Sequence, residues 1–165
     1  MKPPMNALHT AAYNADLEAV QALLSQGEPV DQRDEKGFTP LLWSCLRGAV
    51  GRQAPVADAL LAAGADPDAT TSSGDSNCLI LAAQAGVLEL IDVLFAWNAK
   101  VNADAEGVTP LMVAARAGDA EVVSRLLRAG ADPTIICGSF DAEAYARHGG
   151  HSDLADVLAA LGAGG

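Results

Sequence analysis

Aromatic rings are scarce in this 165-residue chain, at 4% of residues, which argues against a β-sandwich with a large aromatic core. Cysteine is scarce too. Cys45, Cys78 and Cys137 are odd in number and far apart, so no disulfide framework is implied and a reducing cytoplasm is the expected compartment. Positive charge is outnumbered, with 10 Lys and Arg against 21 Asp and Glu, a net charge of −11 and a pI near 4.4. Such a surface repels nucleic acid and anionic membranes and would attract a basic partner, although solubility alone also accounts for it.

Long apolar runs are missing at the points where targeting would need them. Met1-Lys-Pro-Pro-Met5 precedes no apolar stretch with a cleavage site, so no signal peptide is expected. Cys78 to Trp97 has roughly the length of a membrane span, but Gln84, Gly86, Glu89 and Asp92 interrupt it. Two buried helices are the better reading.

The patterns of common catalytic and metal sites are absent as well. His9, His148 and His151 are the only imidazoles, no His-x-x-x-His or Cys-x-x-Cys occurs, and no glycine pattern forms a phosphate cradle. Asp66-Pro67 and Asp132-Pro133 each offer one carboxylate in a loop, without EF-hand spacing. No catalytic residue, metal or cofactor is therefore expected. A hydrolase using Cys45 or Cys78 with a histidine is the remote alternative, requiring a thiol of lowered pKa in a cleft.

What the chain does have is apolar residues, at 50%, arranged with helical periodicity between glycines. The clearest stretch is Glu106 to Asp132. Thr109 can cap a short helix with Pro110 at its first position, and Gly118 stops it. Asp119 starts a second helix, in which Val122/Val123 and Leu126/Leu127 recur four residues apart. Gly130 ends it, and Asp132-Pro133 turns the chain outward. Such a unit cannot bury its own apolar face, so it needs copies on either side.

The copies are present. Asn6-Ala-Leu-His-Thr-Ala-Ala12 leads to Leu23-Leu24 and Gly27, with Ala15 where a helix-ending glycine would stand. Gly37-Phe-Thr-Pro-Leu-Leu-Trp43 leads to Gly48, Leu60-Leu61 and Gly64-Ala-Asp66. Asn77-Cys-Leu-Ile-Leu-Ala-Ala83 leads to Gly86, Leu94-Phe95 and a degenerate Asn98-Ala-Lys100. A last copy keeps Ala146-Arg147, Gly150, Leu154 and Leu158. These landmarks resemble the ankyrin repeat, with Gly-x-Thr-Pro-Leu-His-x-Ala-Ala, then Gly, Leu-Leu and Gly-Ala-Asp; Met112 replaces the usual His. The resemblance covers the whole chain and implies an all-α solenoid of stacked helix-turn-helix repeats with hairpin-like tips. As a single domain over 1–165 it divides near 1–33, 34–71, 72–103, 104–135 and 136–165. Leu24 and Leu61 are 37 residues apart where the later intervals are 34 and 32, and Ala49 to Pro55 is expected to loop out between two helices.

In the last copy Glu143 and Arg147, four apart, can pair on a polar outer face, and Ala159 and Ala160 replace bulky residues. The array is expected to close there, with Gly162 to Gly165 frayed and Met5 available as a staple at the other end. By the resemblance, His9 bonds backbone and joins neighbouring repeats, Cys45 and Cys78 are interior, and His148 and His151 are exposed.

The resemblance also implies that tips and first helices line a concave face that binds a partner protein. The candidate contacts are Tyr13, Arg33, Lys36, Phe38, Leu42, Trp43, Leu46, Arg47, Val108, Met112 and Arg116, with Ser76, Gln84, Phe140 and His148 at matching positions. Leu42 and Trp43 are equally readable as core between repeats. Helices about 8–10 Å apart make five repeats about 45 Å long, enough for about 800 Å² per partner. The expected function is a non-catalytic protein-binding module, monomeric alone. The alternative is an inhibitor or immunity protein that masks a basic toxin or enzyme.

Overall fold

A computed structural model describes residues 6–46 and 51–163. The helices come in pairs: α1 (Ala7–Tyr13) with α2 (Leu17–Ser25), α3 (Pro40–Cys45) with α4 (Gln53–Ala62), and α5 (Cys78–Ala85) with α6 (Leu88–Ala96). Then follow α7 (Pro110–Ala117) with α8 (Ala120–Arg128) and α9 (Ala142–His148) with α10 (Ser152–Gly162). Among the described residues there is no strand, only isolated bridges at three tips: Thr70 with Asn77, Ala105 with Val108, and Cys137 with Phe140.

Each first helix begins the same way for the same chemical reason. Asn6, Thr39, Asn77, Thr109 and Asp141 accept from the backbone N–H three residues on, at 2.9, 3.2, 2.9, 3.3 and 2.9 Å. That satisfies a donor the helix itself cannot. Pro40 and Pro110 follow their caps, where a missing N–H costs nothing. Gly86 and Gly118 end α5 and α7 in the left-handed region, at φ 70° and 71°. Ala15, after α1, takes the same conformation at φ 50°.

First helices stack in one row, α1 on α3, α3 on α5, α5 on α7 and α7 on α9. In the other row α2 packs on α4 and α4 on α6. The apolar residues of the second helices close the space between the rows: Val20, Leu60, Leu61, Leu94, Val122, Val123, Leu126 and Leu158 are buried. Alanines facing them, such as Ala82, Ala83, Ala114, Ala115 and Ala146, keep the helices close.

Polar side chains tie each repeat to the next. The Asp31 carboxylate accepts from Asp66 N–H at 3.2 Å, Asp68 from Lys100 N–H at 2.9 Å, and Asn102 Oδ1 from Asp132 N–H at 2.9 Å. On the second helices Trp97 Nε1–H donates to Asp58 at 2.8 Å, and Arg125 pairs with Asp92. His9 Nε2 faces the carbonyls of Gln32 and Phe38, 2.8 and 3.0 Å away, so the imidazole clamps the first repeat to the tip of the second.

Three expectations need correction. Gln53, Ala54 and Pro55 do not loop out; they form the first turn of α4, where proline's missing N–H is tolerated, and the Gln53 side chain is buried. His151 is only half-exposed, because its ring covers Gly118: a Cβ there would lie 2.3 Å from Cε1. Gly162 is helical rather than frayed. Met5, Arg47, Gly48, the Ala49–Val50 part of the insertion and Gly164–Gly165 lie outside the described residues. Glu143 and Arg147 do pair, at 2.8 Å, and Asp156 joins them at 2.9 Å, yet α10 also exposes Val157 and Leu161.

Candidate recognition face

Successive residues of a helix point about 100° apart, so only one residue of each adjacent pair can face the same way. Leu42 and Met112 were expected on the exposed face, and both are interior, at 0% and 1% exposure. Their neighbours Trp43 and Val113 turn outward instead, half-buried. Met112 keeps a local role there, its sulfur accepting Thr109 N–H at 3.4 Å.

Two rows of side chains follow from this rotation. The inner row is Thr10, Trp43, Leu81, Val113 and Tyr145, all half-buried. Three residues later comes the outer row of Tyr13, Leu46, Gln84, Arg116 and His148, in which Leu46 is half-buried and the rest exposed. Residues three apart share a helix face, so each repeat contributes one of each. Leu81, Val113 and Tyr145 were not singled out in the sequence. The count from the capping Asn or Thr, four residues to the inner row and seven to the outer, would have found Leu81 and Val113.

At the N-terminal end the face is aromatic. The Trp43 ring meets Tyr13 edge-on at 5.5 Å and Phe38 at 5.1 Å with a 40° tilt. Phe38 is half-buried against the core, and its carbonyl receives His9, so it carries structure as well as surface. Arg33 is not a free cation: its guanidinium donates to Gly37 O at 2.7 Å and Thr70 O at 2.6 Å, joining two tips. Lys36 is exposed on the same turn, and Val108 is half-buried at the fourth tip.

Midway, Cys45, Leu46, Leu81, Gln84 and Ala85 line a shallow cleft of about 240 Å³. At the C-terminal end Arg116, Phe140, Ala144, Tyr145 and His148 line another, of about 200 Å³. Phe140 stands edge-on to Tyr145 at 6.4 Å. Burial and the neighbouring Cys137 thiol push the Tyr145 phenol above its usual range, with Arg116 pulling the other way. Burial likewise pushes the Cys78 thiol well up, against the lowered value a nucleophile requires.

A family model described as ankyrin repeats (3 copies) matches residues 2–71 and 46–137. The chain belongs to the ankyrin-repeat family. Protein phosphatase 1 regulatory subunit 27 of Homo sapiens is 42% identical over 69 residues, 42% of each chain. Ankyrin repeat protein nuc-2 of Neurospora crassa is 35% identical over 130 residues, 76% of this chain and 11% of that one. Inversin of Mus musculus is 35% identical over 123 residues, 73% and 11% respectively. The chain thus spans less than half the length of these relatives. Family and relatives support a protein-interaction module. Among the described residues, no helix is long and apolar enough to cross a membrane.

Proposed function

We propose that this chain is a non-catalytic protein-binding module that receives its partner on the concave side, along the two rows of the first helices. One observation carries the reading: side chains that differ from repeat to repeat occupy these rows, while the residues that recur, Leu8, Leu41, Leu79 and Leu111, are buried. A stack built from interior landmarks leaves the rows free to vary with the ligand. Trp43, Tyr13 and Phe38 supply rigid apolar area at one end, of the kind that dominates binding energy at protein interfaces. The relative named as a phosphatase regulatory subunit supports a role exerted through another protein.

Affinity capture from cells of the source organism tests this, using the wild-type chain beside Tyr13→Ala/Gln84→Ala/His148→Ala. All three side chains are exposed, so the variant is expected to melt close to wild type while losing the partner at least tenfold. Equal capture by the variant would move the interface to another surface.

A further inference from the structure

We propose that the cleft between α7 and α9 receives a carboxylate carried on an acidic, aliphatic segment of the partner protein. This rests on reading the first-helix rows as the recognition face, and it names the chemistry recognised at their C-terminal end.

The cleft is small. At about 200 Å³ it falls below the roughly 300–1,000 Å³ of sites that enclose a whole small molecule, so it suits side chains of a longer bound segment. Its walls are mixed in a specific way. Phe140 is 54% exposed and meets Tyr145 only by an edge, which leaves ring surface open to an aliphatic side chain. The polar groups beside these rings are a guanidinium and an imidazole, in a chain whose net charge is −11.

Neither group is matched by an acid. Among the described residues the ion pairs are Lys100 with Asp68, Arg125 with Asp92, and Arg147 with Glu143 and Asp156; Arg116 and His148 are in none. Three of the four acids of the fifth repeat are committed elsewhere, and the fourth, Asp153, is exposed on α10 and pairs with neither group. Asp141 caps α9 through Ala144 N–H, and Glu143 and Asp156 hold Arg147. Among the described residues, the guanidinium at this cleft thus forms no ion pair. A carboxylate accepts two parallel N–H bonds from such a group, which adds geometric specificity to the charge pairing.

At the opposite end Arg33 is engaged by two backbone carbonyls and Lys36 stands on the tip, outside the two rows, while Trp43, Tyr13 and Phe38 present apolar surface. A bound segment is therefore oriented, apolar toward Trp43 and acidic toward Arg116. The chain's overall negative field opposes an acidic segment at a distance, but physiological salt limits that reach to about 8 Å. Within contact the local pair decides.

Fluorescence anisotropy of the full chain at physiological salt tests the assignment. The probes are a labelled peptide of alternating Leu and Glu with an amidated C-terminus, its Gln counterpart amidated, the Gln counterpart with a free carboxyl terminus, and a Lys counterpart. The Glu peptide is expected to bind at least tenfold tighter than the amidated Gln peptide. Arg116→Gln should abolish that preference, and Arg128→Gln, exposed at the end of α8, should leave it intact. If the free-terminus Gln peptide matches the Glu peptide, the carboxylate recognised is a chain terminus and the assignment to an acidic segment falls. Equal binding of Glu and amidated Gln peptides, tighter binding of the Lys peptide, no binding by any peptide at millimolar concentration, or no effect of Arg116→Gln would each overturn the proposal. A cellular partner that is lost with the outer-row variant but indifferent to Arg116→Gln would remove this inference and leave the interaction reading standing.

Discussion

The indole N–H of Trp43 donates to Asp34 Oδ2 at 2.9 Å, and the other oxygen of the same carboxylate accepts from Lys36 N–H and Phe38 N–H, each at 2.9 Å. One carboxylate therefore fixes both the second tip and the ring that projects from the helix behind it. Asp34→Ala is expected to cost about 1–3 kcal/mol, because it leaves a half-buried indole N–H and two turn donors without an acceptor. It should also shift Trp43 emission. Urea unfolding and emission spectra in a Trp97→Phe background check both, and an unchanged spectrum would detach the ring from the tip.

His9 holds the first repeat to the second through two carbonyls. His9→Ala strands those acceptors and opens a gap, for an expected loss of about 1–3 kcal/mol. Hydrogen exchange should localise the loss to α1 and α2, with α7 to α10 unaffected, since each repeat leans only on its neighbours.

Two tip substitutions are expected to act in opposite directions. Gly37 has φ 74°, and a Cβ there would sit 1.5 Å from Ser72 Oγ. Gly37→Ala should destabilise by about 1–3 kcal/mol from backbone strain, with displacement of Ser72 adding to that. Glu106 has φ 51° before Gly107 at φ 86°, in a two-residue loop closed by Ala105 and Val108. Asn-Gly is the favoured pair for such a loop, so Glu106→Asn should raise stability by a few tenths of a kcal/mol to about 1 kcal/mol. Urea midpoints of both variants decide.

The acid limb of stability has a readable sign. The Thr134 hydroxyl and N–H hold the Asp132 carboxylate below its usual range, and Thr71 and Ser73 do the same for Asp75. A carboxylate whose pKa is depressed by folding stabilises the fold above its unfolded value, and that contribution disappears as pH falls through the folded one. Asp31 runs the other way: burial raises it, so its contribution improves as pH falls. In urea midpoints measured from neutral pH to well below about pH 4, the unfolded carboxylate range, Asp132→Asn should be less stable than wild type at neutrality and converge on it only at the acid end.

Thiol labelling separates the interior from the surface. Cys45 and Cys78 are buried, at 2% and 0% exposure, and Cys137 is half-exposed. Under native conditions a maleimide should modify Cys137 first, with the other two following only on unfolding. Fast modification of Cys78 would contradict both its burial and its raised pKa.

The architecture was largely legible because the marks of an ankyrin repeat are local. A Thr-Pro at a helix start or a glycine after its end constrains a few bonds, and Thr109, Pro110, Gly118 and Asp119 behave as their chemistry dictates. The face was legible only in part. Choosing between Leu42 and Trp43 needs the helix rotation, which apolarity does not supply when both neighbours are apolar. Arg33 reads as a free charge in the sequence because its acceptors are backbone carbonyls, Gly37 O four residues on and Thr70 O 37 residues away, which no residue type announces. Tyr145 escaped notice because the fifth repeat keeps too few landmarks to set a register, and Gln53 to Pro55 looked like loop because a proline in a first turn resembles one that breaks a helix.

The loop ties from Asp31, Asp68 and Asn102 each reach the adjacent module and go no further. Tension applied at the two termini is therefore borne in series, junction by junction. Stretched in an optical trap, the molecule should lengthen in discrete steps of one module each, and the modules still standing should keep their portion of the ligand surface intact.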